Sequence, residues 1–303
     1  MGIFDKFKSA FGGSKDSEGS VKSNRKIVID ERFDRQRTAV SGTMSKFYAA
    51  FDRQRNCFVG LKLCDLEKFS FFESRFKGLK KPPEGEIAAS MEHPNIVKTL
   101  EYGRTVDNEP YLVMEFIDGP GLQSLIHNRD EERLKGKRFE LIRQMADALQ
   151  YVHRKGYIHR DVCPRNFICS NDLNHIKLID FGLTVPATED FMKPGNRTGT
   201  PLYMAPEIVR RRATDQRVDI FAFGVTCYQL LTLELPWPGG EVSGLAALNH
   251  DSAARDIFEY LPDLDRTLGT TIMQCIKPNP KDRLQTIDQF MTALRQVDAS
   301  KVG

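Results

Sequence analysis

The chain has 303 residues, 40% hydrophobic and 28% charged, with 44 lysines and arginines against 41 aspartates and glutamates. That length admits one large two-lobed domain or two smaller ones, and a formal net charge of +3 gives no field from which to argue nucleic-acid binding. Fibrous, transmembrane and wholly disordered proteins are excluded, since the composition is globular and the longest apolar run, Ile220 to Leu231, is too short for a bilayer and is broken by Thr226 and Gln229.

Residues 1–26 differ from the rest. Ile3, Phe4, Phe7 and Phe11 share one helical face beside Lys6 and Lys8, which reads as a short amphipathic helix able to touch a membrane or partner weakly, or as a frayed start. No long apolar stretch marks a secretory signal. Gly2 does not meet the myristoylation pattern, because Lys6 stands where Ser or Thr is needed. Gly12 to Asn24 reads as a flexible linker.

Residues 27–115 carry mostly β signals. Phe47 to Phe51, Phe58 to Leu63 and Tyr111 to Met114 are short β-prone runs. One helix is predicted near Glu84 to Met91, with Pro82 and Pro83 as start signals. The pentapeptide Phe-Asp-Arg-Gln-Arg occurs at 33–37 and again at 51–55, too little for a repeat architecture.

From about residue 120 the pattern turns helical. Leu141, Met145, Leu149 and Val152 step at helical spacing up to Gly156, and Val218 to Leu231 is apolar on nearly every face, as a buried helix is. Ile272, Ile276, Phe290 and Leu294 belong to closing helices. A strand-rich part followed by a helix-rich part predicts two lobes with a ligand cleft between them. The six cysteines form no C-x-x-C pair and no zinc pattern, and read as reduced thiols.

The chemistry concentrates in three segments. Tyr157-Ile158-His159-Arg160-Asp161-Val162-Cys163-Pro164-Arg165-Asn166 fits H-R-D-x-x-x-x-N. Asp180-Phe181-Gly182 follows, then Gly199-Thr200-Pro201-Leu202-Tyr203-Met204-Ala205-Pro206-Glu207. In this order the chain resembles the eukaryotic-like protein kinase family over about residues 27 to 298. The resemblance implies an α+β bilobal fold. A β-rich N-lobe, about 27–115, would hold a five-stranded antiparallel sheet and one helix. A helical C-lobe, about 116–298, would follow, with ATP between the two.

Residue by residue, the resemblance makes Asp161 the base for a substrate hydroxyl. Asn166 and Asp180 offer hard oxygens to Mg²⁺. Lys62, in Val59-Gly60-Leu61-Lys62, would hold phosphates, with Glu84 as its carboxylate partner and Glu86 as second choice. The glycine-rich loop falls on Val40-Ser41-Gly42-Thr43-Met44-Ser45. Only Gly42 of its three glycines is kept, and Ser45 offers one hydroxyl in return, so ATP use is expected to be weaker or slower. Backbone groups of Glu115 and Ile117 would meet the adenine edge, and Met114 would border its back pocket. Cys163 stands where serine/threonine kinases usually carry lysine. Arg165 could supply the missing charge, as in many tyrosine kinases. Gly199-Thr200-Pro201 has the serine/threonine form, with Thr200 on Asp161, and is weighted more because it touches the acceptor.

His159, Phe181 and Gly182 complete the two signature segments. Asp219 would cap the catalytic loop, and Arg283 would pair with Glu207. Arg160 is of the kind that meets a phosphorylated activation loop, which offers Thr184, Thr188 and, as first choice, Thr198. Arg210 to Arg212 reads as a solvated basic turn or a draw for acidic substrates. The expected activity is ATP- and Mg²⁺-dependent phosphorylation of protein serine or threonine in the cytoplasm, the chain itself among the substrates. A catalytically impaired kinase-like scaffold is the alternative, and a small-molecule phosphotransferase a further rival.

Overall fold

The computed structural model describes residues 21–36, 40–41, 45–76, 78–195, 198–237, 250 and 252–303, with Val40 and Ser41 as backbone alone. The amphipathic start, Ile3 to Phe11, and Gly42 of the expected phosphate loop lie outside the described residues.

The first lobe is a sheet of β1 (Val21–Lys22), β2 (Phe33–Arg35), β3 (Val40–Ser41), β4 (Ser45–Asp52), β5 (Cys57–Cys64), β6 (Thr99–Arg104) and β7 (Pro110–Glu115). The order is β1-β6-β7-β5-β4-β2, with β3 also on β4. The β4–β5 hairpin pairs Ser45 with Cys64 through Asp52 with Cys57, and Asn56 takes φ 53° in its turn. The five expected antiparallel strands are present once β2 and β3 are taken as two pieces of one edge. A further strand, β1, runs parallel to β6 at the opposite edge, so the linker read over Gly12 to Asn24 ends too late. The two copies of the pentapeptide meet across β2 and β4, where Phe33 pairs with Asp52 and Asp34 with Phe51.

The outer face of the sheet has its own small core of Phe33, Ala50, Val59, Leu61, Tyr111 and Val113. Its edge is tied by charge. Arg32 donates to both oxygens of Asp52, at 3.0 and 2.8 Å, and to both oxygens of Glu101, at 2.6 and 2.9 Å. Tyr111 adds its hydroxyl to Glu101 at 2.8 Å. Burial alone would raise the Glu101 pKa, but Arg32, Tyr111 and Arg55 hold it below its ordinary value.

Besides a single helical turn at Ile29–Arg32, two helices accompany the sheet among the described residues, where one was predicted. Helix α1 (Leu66–Ser74) begins at Asp65, whose carboxylate accepts from Lys68 N at 3.1 Å. Helix α2 (Glu84–Ala89) follows Pro82 and Pro83. The second lobe is built on α3 (Arg138–Arg154), α4 (Arg217–Thr232), α5 (Arg266–Cys275) and α6 (Ile287–Leu294). The predicted stripe on α3 is buried at Leu141, Met145, Leu149 and Val152. Helix α4 is buried almost all round, and Phe223 meets Phe290 of α6 edge-on at 4.9 Å. All six cysteines are free, Cys57 exposed and the others buried. Among the described residues no helix is long and apolar enough to cross a membrane.

Candidate active site

Strand β5 lies between β4 and β7, so Lys62 projects from the middle of the sheet, opposite Phe47 and Leu112. Helix α2 brings Glu84 to it. Gly85 is what lets α2 lie flush on β6, because a Cβ there would stand 2.5 Å from the Tyr102 ring. The Lys62 ammonium is paired with Glu84 Oε1 and, at 2.8 Å, with Asp180 Oδ1. Gly182 N–H also donates to Asp180 Oδ1, at 2.8 Å. Burial opposes the charge on Lys62, yet Asp180 and Glu84 outweigh it and raise its pKa. Asp180 is held below its ordinary range despite burial, chiefly by Lys62. Burial raises Glu84, with Lys62 working against it. Glu86, the second choice, is exposed and does not reach Lys62.

The catalytic loop hangs on Asp219 at the start of α4. Its carboxylate accepts from His159 N and Arg160 N, each at 2.7 Å, and lies 2.9 Å from His153 Nε2. These bonds hold Arg160 at φ 67°, a conformation a non-glycine residue adopts only when its surroundings impose it. The His159 ring stands edge-on to Phe181 at 5.4 Å, so the two signature segments touch through buried side chains.

Asp161 is surrounded by donors. Thr200 gives its N–H at 3.0 Å and its hydroxyl at 2.7 Å to Oδ1. Asn166 Nδ2 donates to Asp161 O at 2.7 Å and to Oδ2 at 2.9 Å. Arg165 Nη2 reaches Thr200 Oγ1 at 3.1 Å and Asp161 Oδ2 at 3.4 Å. Cys163 lies beneath, fully buried, its sulfur 3.7 Å from Thr200 Oγ1. Burial, then Asp161, pushes its thiol up to about 12, so it is neither a cation nor a nucleophile.

The donor set suits Mg²⁺. Asn166 spends its amide N–H groups on Asp161, and Asp180 spends Oδ1 on Lys62 and Gly182. Among the described residues nothing donates to Asn166 Oδ1 or Asp180 Oδ2, and both residues line the same cavity. Two hard oxygens with phosphate oxygens to complete the shell is how Mg²⁺ is bound in phosphoryl-transfer sites. Among the described residues no cluster of three or more His, Cys, Asp or Glu could hold a metal without such help.

That cavity measures about 880 Å³ and runs between the lobes from Ser45 and Phe47 to Asp161 and Arg165. Lys62, Glu84, Asn166, Asp180 and Gly182 all line it. Met114, Glu115 and Ile117, expected at adenine, do not. Met114 is buried against Gly60. The Glu115 carboxylate is engaged by Lys98 N at 2.7 Å and Lys177 Nζ at 2.5 Å. Gly119, Gly121, Ile168, Ile179 and Leu183 line the cavity and were missed. So was the α1 face, from Glu67 to Phe72, with Arg75 just beyond the helix. Their signal was present: Asp65 as a cap, then Leu66, Phe69, Phe72 and Phe76 at helical spacing.

The segment after Asp180 is anchored at several points. Arg160 Nη2 donates to Phe191 O at 2.5 Å, while its Nη1 is buried and has no partner among the described residues. Burial lowers the Arg160 pKa to about 10, against the pull of Asp219. Phe191 is buried 5.7 Å from Phe76, just beyond α1. Of the three threonines read as phosphorylation sites, Thr188 is exposed. Thr184 and Thr198 are buried, and among the described residues the Thr198 hydroxyl has no partner, so the first choice is not the accessible one. Farther on, Arg283 grips Glu207 with two bonds, at 2.7 and 2.8 Å, both side chains buried.

Residues 33–295 match the family model described as "Protein kinase domain". Among curated relatives, a probable serine/threonine-protein kinase of Clostridium acetobutylicum is 29% identical over 286 residues, 94% of this chain and 42% of that protein. One of Streptomyces coelicolor is 28% identical over 273 residues, 86% of this chain and 39% of that protein. Serine/threonine-protein kinase PknB of Mycolicibacterium smegmatis is 29% identical over 293 residues, 90% of this chain and 45% of that protein. The chain thus spans about two-fifths of the length of these relatives.

Proposed function

Since the chain belongs to the protein kinase family, matched over residues 33–295, we propose that it transfers the γ-phosphate of ATP to serine or threonine hydroxyls of proteins, itself included. The observation that carries this reading is the convergence on one cleft of Lys62, Glu84 and Asp180 with Asp161, Asn166 and Thr200. A buried lysine held by two carboxylates, an arrangement costly to maintain, supports activity over a scaffold role.

Asp161 accepts the proton as the substrate hydroxyl oxygen bonds to the γ-phosphorus. The bond from that phosphorus to the β–γ bridging oxygen breaks, and ADP leaves. Thr200 fixes the Asp161 carboxylate through Oδ1, leaving Oδ2 toward Asn166 and Arg165. Arg165 takes the part of the absent lysine, because Cys163 is neutral and buried. Lys62 would hold the α- and β-phosphates, and Asp180 would be a ligand of the metal. Mg²⁺, held by Asn166 and Asp180, would neutralise charge on the phosphates. The serine/threonine choice is supported by the Thr200–Asp161 bond and by the names of the relatives. The free cysteines support a reducing compartment, and we place the activity in the cytoplasm. We also assign the kinase domain to about residues 27–298.

The deciding experiment is phosphate transfer from radiolabelled Mg-ATP to a generic protein substrate and to the chain itself, beside Asp180→Ala. Labelling confined to the unaltered chain, on serine and threonine, is the expected result. Equal labelling by both would sink the catalytic reading.

A further inference from the structure

Formal charge is spread unevenly along the chain. Residues 1–28 hold six lysines and arginines against three acids, and the other 275 residues hold 38 of each sign. The whole excess of +3 therefore lies in this first stretch. Its last eight residues form one edge of the first lobe. Val21 and Lys22 pair with Glu101 and Tyr102 of β6, Ser23 N donates to Tyr102 O at 2.8 Å, and Ile27 pairs with Thr105. Lys22, Arg25, Lys26 and, from β6, Arg104 are all exposed along this edge. Among the described residues none of the four is in an ion pair, and Arg104 gives Nη1 to the Asn108 carbonyl at 2.8 Å. Glu86 on α2 and Asp107 in the turn after β6 are exposed acids beside it, two against four, while Asp30 is engaged by Arg35 at 2.7 Å.

Apolar side chains gather at the same edge. Four large hydrophobic side chains are exposed among the described residues, and three of them, Val21, Val28 and Val106, lie here. Val106 N donates to Ile27 O at 3.0 Å, which sets it beside Val28. Ahead of Val21, outside the described residues, Ile3, Phe4, Phe7 and Phe11 would share one face of a helix, with Lys6 and Lys8 on its opposite flanks. Phe11 and Val21 are ten residues apart, so at most about 35 Å of chain separates them. That face and this edge can therefore meet one flat surface together. A plane of negative charge over hydrocarbon satisfies both, since cations meet its headgroups and apolar groups enter its acyl boundary. A nucleic acid would engage the cations and leave the phenylalanines in water.

We propose that this edge of the first lobe lies on an anionic lipid bilayer, with its four cations against the headgroups and the face of Ile3, Phe4, Phe7 and Phe11 in the acyl boundary. Neither contact suffices alone. A short amphipathic segment binds weakly, and surface cations are screened within about 8 Å at physiological salt. Joined by so short a length of chain, the second contact becomes intramolecular once the first is made. The order β1-β6-β7-β5 keeps three strand spacings, about 14 Å, between this edge and the strand that carries Lys62. Lipid contact and phosphate transfer therefore do not compete for the same groups.

The test uses the full chain and co-sedimentation with vesicles of phosphatidylcholine alone, or of two parts phosphatidylcholine to one part phosphatidylserine. Binding to the mixed vesicles should be about tenfold or more tighter than to the neutral ones and should weaken severalfold as salt is raised. Each cation removed should lose roughly fivefold. The variant combining Lys22→Gln, Arg25→Gln and Lys26→Gln should thus lose about a hundredfold. Arg104→Gln alone, expected to lose about fivefold, is the second variant should the triple change fail to fold. Phe4→Ser with Phe7→Ser should lose about tenfold or more while keeping the salt dependence. Bound vesicles should slow amide exchange across Val21–Val28 and leave that of Arg266–Cys275 unchanged. Equal binding to the two vesicle types, unchanged binding by a folded edge variant or by the serine variant, or displacement from the mixed vesicles by an equal charge of single-stranded RNA would each overturn the assignment. None of these readouts depends on phosphate transfer.

Discussion

One ammonium shared between two carboxylates dominates the chemistry of single residues. Lys62→Met would leave Glu84 buried without its cation, a loss of about 3–5 kcal/mol by analogy with other broken buried pairs. Labelling should fall by about a hundredfold or more, since a positioned charge is lost from the transition state. The pH dependence follows from the shifts. Lys62 is raised, so its stabilisation is complete below its ordinary 10.5 and is lost only as pH climbs through the higher folded value. Asp180 is lowered, so its stabilisation is present above its ordinary 3.8 and is lost as pH falls through the lower folded value. Burial raises Glu84, and it rises further once Lys62 is gone, so the stability gap between Lys62→Met and the unaltered chain should be smallest below about pH 4 and widen as pH climbs above the ordinary 4.5 of Glu84, as denaturant titration would record. The thiols give an independent check. With Cys57 exposed and Cys163 pushed up to about 12, iodoacetamide at neutral pH should modify Cys57 alone in the native protein and all six cysteines after denaturation. Mass spectrometry reads the count, and rapid native labelling of Cys163 would contradict its burial.

Elements rather than residues explain where the sequence was and was not legible. The signature segments named Lys62, Asp161, Asn166, Asp180 and Thr200, because their chemistry demands those side chains at those spacings. Helix α3 was equally plain from its stripe, and α4 from its unbroken apolarity. Helix α1 was missed because its face is written in phenylalanines, which carry no strong helical preference. Strand β1 was missed because two residues with one valine make no pattern; what creates the strand is the β6 edge beside it. The expectations at Met114, Glu115 and Ile117 followed from motif spacing, which says nothing of where the Glu115 carboxylate goes, to Lys98 N and Lys177 Nζ. Helix α1 also has a consequence of its own. Phe76 is the contact between this region and Phe191, whose carbonyl Arg160 holds. Phe76→Ala should destabilise by about 3–5 kcal/mol and speed amide exchange near Phe191, while Asp65→Ala, a lost cap, should cost about 1 kcal/mol. Equal exchange near Phe191 in Phe76→Ala and the unaltered chain would show the two elements to be independent.

At the scale of the whole molecule, the two lobes are joined where the backbone itself makes contact. A Cβ at Gly119 would stand 2.0 Å from the Cys169 carbonyl oxygen. Cys169 N–H in turn donates to Pro120 O at 2.9 Å. The connecting segment therefore lies directly on the second lobe, and Gly119→Ala must part them. A fall in melting temperature of several degrees is expected, about 1–3 kcal/mol, with nucleotide affinity reduced as well because Gly119 lines the cleft. Fluorescent ATP-analogue binding and thermal unfolding measure the two effects separately. The sequence offered Gly119 only as part of a turn, since its closeness to Cys169 arises from two segments fifty residues apart (119 against 169).

The contact between Lys62 and Asp180 joins the very groups that an anion and a cation would claim. A polyphosphate arriving by itself must pull Lys62 from its carboxylate and leave that acid exposed to a like charge. A divalent ion arriving by itself must pull Asp180 from its ammonium. Arriving together, each satisfies the group the other sets loose. The cleft is thus wired for joint capture: a nucleotide should hold poorly under chelator and a metal poorly without nucleotide, and affinity should emerge from their mutual presence.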